Sequence, residues 1–513
     1  MASNGRGNRW RQEAMVWLPL VLCALLLAFA DFSPGNPLIT RTAAVALLMA
    51  AWWITGAIPL AATALLPVAL FPVLGIMNAA DAASNYVNDI IFLYIGGFLV
   101  ALAMQRWNLH RRIALGMLLL CGTRPRALLA GFMLPTFFLS MFISNTATTM
   151  MMAPIALAVL ADLEERGSAG VRGGFGVGLL LAIAYCASIG GTATLIGTPP
   201  NLSFARILEI TFPEAPHISF AQWFVFGFPL AVSMAVLLWA LISWMYARGV
   251  SEPFDRRVIA GQYRALGPWS FEQRAMLLAF GALGILWMTR SDVDLGALQV
   301  PGWSTLFEYP AYLRDGTVAI AVASILFLVP APSEPGRRLL DWDTAKTLRW
   351  DIVLLYGGGF ALANAFVTSG LSAWLGDGMS GLAGLPPVAL VFTLCLGISL
   401  LTELTSNTAT TEMALPILAA LAVGIGVHPL LLMLPATLAC SCAFMLPVAT
   451  PPNAIVFGAG NLTIAQMART GFLLNLAAVV LITALTFLLG PLVFGIGAGG
   501  GMPEWAVLSG GGH

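Results

Sequence analysis

The amino-acid sequence predicts an all-α polytopic membrane protein. Of its 513 residues, 59% are hydrophobic and 9% are charged, with a mean hydropathy of +0.88, whereas soluble domains carry about 25% charged residues. Apolar runs long enough to cross about 30 Å of hydrocarbon recur along the chain. Two polar motifs are also repeated within these runs. The protein is therefore expected to lie in a lipid bilayer, and its zero net charge gives no reason to expect a nucleic-acid partner.

Apolar runs predict about 11 transmembrane helices. They lie at residues 15–31, 42–56, 58–76, 89–105, 176–196, 222–246, 275–289, 316–330, 351–367, 429–468 and 471–497. The run at 429–468 is too long for one straight helix, which predicts a break within it.

Two further apolar stretches, at residues 127–162 and 388–424, are predicted not to cross the membrane. Each consists of two apolar arms that meet at a Ser-Asn-Thr sequence, so each is interpreted as a re-entrant hairpin. Irregular backbone at this depth is tolerated where protein or a wet cavity surrounds it. With a cytoplasmic N-terminus and an external C-terminus, 20 of the 24 basic residues lie in the cytoplasm, as the positive-inside rule requires. The four left outside are Arg41, Arg206, Arg290 and Arg314.

The chain contains an internal duplication. "FISNTATTMMMAP" from Phe142 matches "LTSNTATTEMALP" from Leu404, and "NDIIFLYIGGF" from Asn88 matches "WDIVLLYGGGF" from Trp350, each at an offset of 262 residues. "GTPPN" from Gly197 matches "ATPPN" at an offset of 252. In the predicted topology the two copies begin on spans of opposite direction. The repeats are therefore inverted, which is an architecture of secondary transporters.

This duplication divides the chain into five regions. They are an N-terminal cytoplasmic tail with scaffold helices (1–76), repeat 1 with the inner hairpin 127–162 and the broken helix 176–210 (77–247), linking loops and scaffold helices (248–347), repeat 2 with the outer hairpin 388–424 and the broken helix 429–468 (348–497), and a C-terminal tail (498–513). Asp89 and Asp351 begin helices after polar linkers and are expected to act as helix caps.

The repeated motifs predict an ion and anion site. A turn at Ser-Asn-Thr places a helix N-terminus, with free N–H groups and a positive dipole end, inside the membrane, where it favours an anion. The last carbonyl groups of the preceding arm, with the Ser hydroxyl and Asn amide oxygens, favour a hard cation. Consecutive prolines at Pro199 and Pro451 break long helices and free backbone carbonyls.

Each motif also has a common structural role. A single Ser-Asn-Thr in a membrane helix is more often a helix–helix contact, and a lone Pro-Pro usually means a kink. Two copies of both, in register, favour a binding site. Glu403 and Glu412 flank the second tip, where the first copy has Met141 and Met150. Either acid is a functional candidate or a residue that faces a water-filled vestibule.

Together these motifs resemble the divalent anion/sodium symporter family, which includes sodium-coupled dicarboxylate and citrate transporters. The resemblance covers residues from about Pro37 to Phe494. It implies a homodimer in a bacterial inner membrane, with a scaffold domain and a transport domain that moves as an elevator. It also implies Na⁺ as the coupling ion. The implied sodium ligands are Ser140, Ser144, Asn145 and Gly197 in one site, and Thr402, Ser406, Asn407 and Ala449 in the other. The implied substrate contacts are Asn145, Thr146, Asn407 and Thr408, with Thr198, Pro199, Thr450 and Pro451 nearby.

No fixed positive charge accompanies the motifs. Neither the segment between Arg126 and Arg166 nor that between Asp351 and Ala468 contains Lys or Arg. Bound cations would therefore supply the charge that a dianion needs. The favoured function is sodium-coupled uptake of a C4 dicarboxylate such as succinate, malate or fumarate. Alternatives are a dicarboxylate exchanger, or a carrier of citrate, sulfate or phosphate. An intramembrane enzyme is disfavoured because no His or Cys lies near either motif in the sequence.

Overall fold

The computed structural model describes residues 3–165, 174–247, 255–294, 299–379, 381, 384–460, 462–497 and 501–506. This part of the chain is almost entirely helical. The helices before the first duplicated segment are α1 (Ser3–Phe29), α2 (Pro37–Thr55), α3 (Leu60–Thr63), α4 (Leu66–Val73) and α5 (Ala79–Ser84). Those of the first copy are α6 (Asp89–Arg106), α7 (Leu109–Leu120), α8 (Pro125–Ser140), α9 (Asn145–Glu165), α10 (Gly176–Thr192), α11 (Pro199–Thr211) and α12 (Phe220–Tyr246).

The remaining helices link the copies and form the second one. They are α13 (Arg256–Ala265), α14 (Phe271–Met288), α15 (Asp315–Leu328), α16 (Trp342–Ala345), α17 (Trp350–Thr368), α18 (Leu371–Gly378), α19 (Pro387–Thr402), α20 (Asn407–Gly424), α21 (Pro429–Cys440), α22 (Pro451–Gly458) and α23 (Ile464–Phe494). Two-residue strands, β1 (Val293–Asp294) and β2 (Gln299–Val300), pair antiparallel in the link, with Val293 opposite Val300. Short 3₁₀ turns follow at Trp303–Leu306 and Pro310–Tyr312.

The lengths and the hydropathy of the helices agree with a polytopic membrane protein. Seven helical segments of the described chain are long and apolar enough to cross a bilayer, and six shorter apolar helices accompany them. Two expected segments differ in detail. The run at 58–76 forms two short helices, α3 and α4, and Pro67 is the second residue of α4, where a proline is tolerated because that N–H would have no helical partner. The region expected to be one broken helix at 429–468 ends at Gly458, and residues from Ile464 belong to α23.

The expectation that Asp89 caps a helix is wrong. Asn88, not Asp89, caps α6, because its side chain accepts a hydrogen bond from the Ile91 N–H at 3.1 Å. Asp351 is the second residue of α17 and forms an ion pair with Arg349 at 2.7 Å. Both carboxylates still lie in a first turn, where the helix dipole stabilises negative charge.

The two copies pack in matching ways. In each, both hairpin helices contact the first half of the broken helix, α8 and α9 against α10, and α19 and α20 against α21. Across the copies, α9 contacts α22 and α20 contacts α11. The paired Tyr94 and Tyr356 meet edge to face with ring centroids 5.5 Å apart. Equivalent helices of the two copies therefore make equivalent contacts.

Paired glycines allow close helix contacts in both copies. A Cβ on Gly96 would lie 2.6 Å from the backbone of Ala319, and one on Gly358 would lie 2.5 Å from the carbonyl oxygen of Ala64. Real Cβ atoms essentially never approach so closely. Glycine at these positions therefore sets the distance between α6 and α15, and between α17 and the end of α3.

Candidate functional site

Three of the predicted cation ligands lie close together at the first hairpin tip. Ser140 ends α8 and Asn145 begins α9, and the Ser140 hydroxyl donates to Asn145 Oδ1 at 2.6 Å. A Cβ on Gly191 would lie 2.8 Å from this Oδ1 and 3.0 Å from the carbonyl oxygen of Gly197. The structure thus places Ser140, Asn145 and the Gly197 backbone around one point. Ser144 differs, since its hydroxyl accepts the Ala147 N–H at 3.2 Å.

The first helix break is an unwound segment between Thr192 and Pro199. Thr194 fixes it from two sides, because its hydroxyl donates to the Met141 carbonyl and accepts the Gly197 N–H. Asn201 on α11 donates back to the carbonyls of Gly191 at 3.3 Å and Thr194 at 2.7 Å. The break is therefore held open by side chains that replace the missing helical hydrogen bonds.

The second hairpin tip repeats the geometry of the first. Thr402 ends α19, and its hydroxyl donates to Asn407 Oδ1 at 2.7 Å, with a second contact to the Cys440 carbonyl at 2.9 Å. Ser406 is the N-cap residue of α20 and, unlike Ser144, makes no side-chain cap hydrogen bond. Thr402 therefore takes the place of Ser140, and Asn407 takes the place of Asn145.

The second break, between Cys440 and Pro451, is braced by the matching asparagine. Asn453 donates to the carbonyls of Ala443 at 3.1 Å and Leu446 at 3.0 Å. These acceptors are ten and seven residues earlier, as they are for Asn201, and all lie at the 252-residue offset. Ala443 and Ala449 replace the two glycines of the first break. Ala449 is buried at the end of this segment, next to Thr450.

Glu403 organises the second break. Its carboxylate accepts the N–H groups of Phe444 at 2.7 Å, Met445 at 2.8 Å and Leu446 at 3.1 Å, and the Asn475 amide at 2.7 Å. The side chain is buried, so the alternative in which Glu403 faces a water-filled vestibule is wrong. Three converging N–H groups explain how a carboxylate is accommodated at this depth.

The expected substrate contacts lie at four helix N-termini. Asn145 and Thr146 begin α9, Asn407 and Thr408 begin α20, and the Thr-Pro pairs at 198 and 450 begin α11 and α22. Asn145, Thr146, Pro199 and Asn407 are partly exposed and Pro451 is exposed, whereas Thr198, Thr408 and Thr450 are buried. All four termini present a positive dipole end to an anion, and α9 and α20 add free N–H groups. The first two residues of α11 and of α22 are prolines, which have no N–H group.

The donor set fits Na⁺. It consists of hydroxyl, amide and backbone oxygens, which are the ligands that hard cations prefer. Moreover, Asn201 Oδ1 and Asn453 Oδ1 are buried without a hydrogen-bond partner among the described residues. One such oxygen beside each break is an acceptor that a bound cation can use.

The sequence motifs alone do not predict the roles of Asn201, Asn453 and Thr194. The two asparagines end the matching "GTPPN" and "ATPPN" segments, so their duplication was a visible signal. Thr194 and the capping role of Glu403 had no such signal, because each depends on a contact with a distant segment.

Duplicated helix breaks beside duplicated hairpin tips are typical of polytopic membrane transporters. The chain is a transporter and not an enzyme, as its family and its relatives show. The chain belongs to the family described as the sodium:sulfate symporter transmembrane region, whose model matches residues 14–496. This confirms the resemblance to divalent anion/sodium symporters.

Two similar proteins are sodium-dependent dicarboxylate transporters. The chain is 42% identical over 465 residues to the sodium-dependent dicarboxylate transporter SdcS of Staphylococcus saprophyticus, covering 88% of this chain and 86% of that protein. SdcS of Staphylococcus aureus gives the same values.

Two solved structures share the fold. The YdaH transporter of Alcanivorax borkumensis matches with a TM-score of 0.54 at 14% identity, over 89% of this chain and 99% of that one. MtrF of Neisseria gonorrhoeae matches with a TM-score of 0.58 at 13% identity, over 85% and 87%.

Proposed function

We propose that the protein is a secondary active transporter that couples the uptake of C4 dicarboxylates, such as succinate, malate and fumarate, to Na⁺ across a bacterial inner membrane. The observation that carries this proposal is the duplicated tip-and-break geometry, which offers two oxygen-rich cation sites and four helix N-termini. The 42% identity to SdcS supports both the ion and the substrate class.

Cations are needed because the protein supplies little positive charge of its own. Lys and Arg are absent from both hairpins and from the second broken helix. A dianion would be stabilised by helix dipoles, hydroxyls and amides, each contributing about 0.3–2 kcal/mol. Two bound sodium ions would neutralise the dianion, so substrate and sodium should bind together. The Ser140–Asn145 and Thr402–Asn407 pairs would hold these ions, with Ser144, Ser406 and the Gly197 and Ala449 backbones completing the two sites.

An elevator movement is part of the proposal. The hairpins and broken helices of both copies contact one another across the copies, which supports their moving as one body. In this arrangement α11 and α20 would move against α17, the helix of repeat 2 that precedes its hairpin and contacts both of them. The family resemblance supports a homodimer and the orientation with the N-terminus in the cytoplasm and the C-terminus outside.

Reconstituted vesicles test the proposal. Purified protein in proteoliposomes should accumulate labelled succinate when Na⁺ is high outside, and K⁺ in place of Na⁺ should abolish accumulation. Unlabelled malate and fumarate should compete, whereas citrate and phosphate should compete weakly. Uptake that ignores Na⁺ but requires a preloaded dicarboxylate would replace the symporter with an exchanger.

Sulfate is the second candidate substrate, because the matching family description names it. The same vesicles would decide between the two. Labelled sulfate that accumulates with Na⁺ while succinate fails to compete would assign the site to sulfate.

A further inference from the structure

Glu412 is a fully buried acid outside the proposed substrate and sodium sites. It lies on α20, five residues after Asn407, and its relative exposure is 0%. The Ser203 hydroxyl on α11 donates to Glu412 Oε1. Glu412 Oε2 has no hydrogen-bond partner among the described residues. It lies against Gly359 of α17, where a Cβ would overlap the carboxyl group.

No cation accompanies this carboxyl group in the described part of the chain. The helices packed against α20 are α2, α11, α17, α18, α19 and α21. Tyr356 on α17 is the ionisable side chain that interacts electrostatically with Glu412. The other ionisable groups of these helices have recorded contacts elsewhere. They are Arg41 (Leu74 carbonyl), Arg206 (Glu209), Asp351 (Arg349), Cys395 (Cys440), Glu403 (residues 444–446), Cys440 (Thr411) and His428 (Leu430 N–H). Asp377 follows Gly376, which meets Gly424, twelve residues after Glu412.

An ionised carboxylate is disfavoured in these surroundings. One neutral hydroxyl cannot replace the hydration that a carboxylate loses on burial, and an isolated charge in the membrane interior is costly. A sodium ion does not fit between Glu412 Oε2 and Gly359, since these groups are already in contact. A proton is the cation that this space admits.

The arrangement occurs in one copy only. The counterpart of Glu412 is Met150, which is 61% exposed, and the counterpart of Ser203 is Ile455. Glu412 is therefore not required by the duplicated tip geometry. It also bridges α20 and α11 to α17, the boundary at which movement is proposed.

We propose that Glu412 is a proton-binding site that links the packing of α11 and α20 on α17 to pH. In the packed arrangement the side chain is a neutral acid. When this boundary opens, its O–H bond breaks, the proton passes to water and a hydrated carboxylate remains. Repacking takes the proton back. The effect on transport rate rests on the proposed function, whereas the proton site itself does not.

Infrared spectroscopy tests the proton site without any transport assay. The wild-type protein in lipid at neutral pH should show the C=O stretching band of a protonated, buried carboxylic acid. Glu412→Gln, which keeps the acceptor for Ser203, should remove this band. Glu308→Gln makes the same chemical change at an exposed position and should retain it. A wild-type spectrum without the band, or a band that persists in Glu412→Gln, would overturn the proposal.

Sodium-driven succinate uptake at varied pH tests the link to movement. The range is about pH 7 to 9, where a dicarboxylate is doubly ionised because carboxyl groups titrate several units lower. The uptake rate of wild type and of Glu308→Gln should fall by about threefold or more as the pH rises from about 7 to about 9. Binding of a single proton limits this fall to about tenfold per pH unit. Uptake by Glu412→Gln should change little. Equal profiles for wild type and Glu412→Gln would refute the link. If no variant takes up succinate, the proposed function fails while the infrared result still decides the proton site.

Discussion

Replacing Glu403 with Gln should destabilise the second helix break. In the structure one carboxylate oxygen accepts the N–H groups of Phe444 and Met445 and the Asn475 amide, and the other accepts the Leu446 N–H. Glutamine keeps one acceptor oxygen but presents an NH₂ group to one side, so at least one donor is left buried without a partner. That loss costs about 1–3 kcal/mol.

The charge contributes a further term. Hydrogen bonds to a charged group are worth about 1.5–3 kcal/mol, against about 0.5–1.5 kcal/mol for neutral ones. Three retained bonds that each weaken by about 1 kcal/mol add about 3 kcal/mol. The desolvation cost of the carboxylate is absent in the glutamine variant and offsets part of this loss. We therefore expect a net destabilisation of about 2–4 kcal/mol.

Sodium binding gives the sharper readout. The proposed second sodium site uses the Ala449 carbonyl, three to five residues after the N–H groups that Glu403 accepts. A ligand at 100 times its Kd stabilises the folded state by about 2.7 kcal/mol. The unfolding midpoint of wild type in detergent should therefore rise with Na⁺ but not with K⁺, and Glu403→Gln should lose part of that rise.

Glu308→Gln serves as the control for the chemical change at an exposed site. A Glu403→Gln variant with the wild-type midpoint and the wild-type response to Na⁺ would refute the assignment of Glu403 to the break. A lower midpoint with an unchanged Na⁺ response would confine Glu403 to stability and separate it from the sodium site.

Three other predictions concern the site, the topology and the coupling. Asn145→Ala and Asn407→Ala should each abolish sodium-dependent uptake without changing the oligomer on size exclusion, because each removes a cation ligand and a tip donor, and wild-type rates in either would contradict the site. Gly378→Cys should react with an impermeant thiol reagent from outside and Pro335→Cys from inside, and modification of both from one side would exclude the inverted topology. Substrate affinity should rise with the Na⁺ concentration and, by linkage, sodium affinity should rise with the substrate concentration. If a third sodium accompanies the dianion, an inside-negative potential, worth about 2.3 kcal/mol per charge per 100 mV, should accelerate uptake. An uptake rate that depends neither on Na⁺ nor on the membrane potential would exclude sodium symport.

Features with a local or repeated signal were accessible from the sequence. Apolar runs indicate the bilayer because every membrane-spanning backbone must satisfy its own hydrogen bonds. The offsets of 262 and 252 residues pair the tips and the breaks, and the Ser140–Asn145 and Thr402–Asn407 contacts follow that pairing. Contacts between distant segments were not accessible. Glu403 is 41 residues from Phe444, and no local pattern indicates which N–H groups a buried acid will meet.

The two copies stabilise the same kind of break by different chemistry. In the first, Gly191 and Gly197 permit close backbone contact and the Thr194 hydroxyl supplies the hydrogen bonds. In the second, alanines replace the glycines and a carboxylate holds three N–H groups. A carboxylate brings a negative charge close to the second proposed cation site, whereas the first has none nearby in the described chain. The second site should therefore hold sodium more tightly, and at low sodium the first site should limit the binding of the substrate.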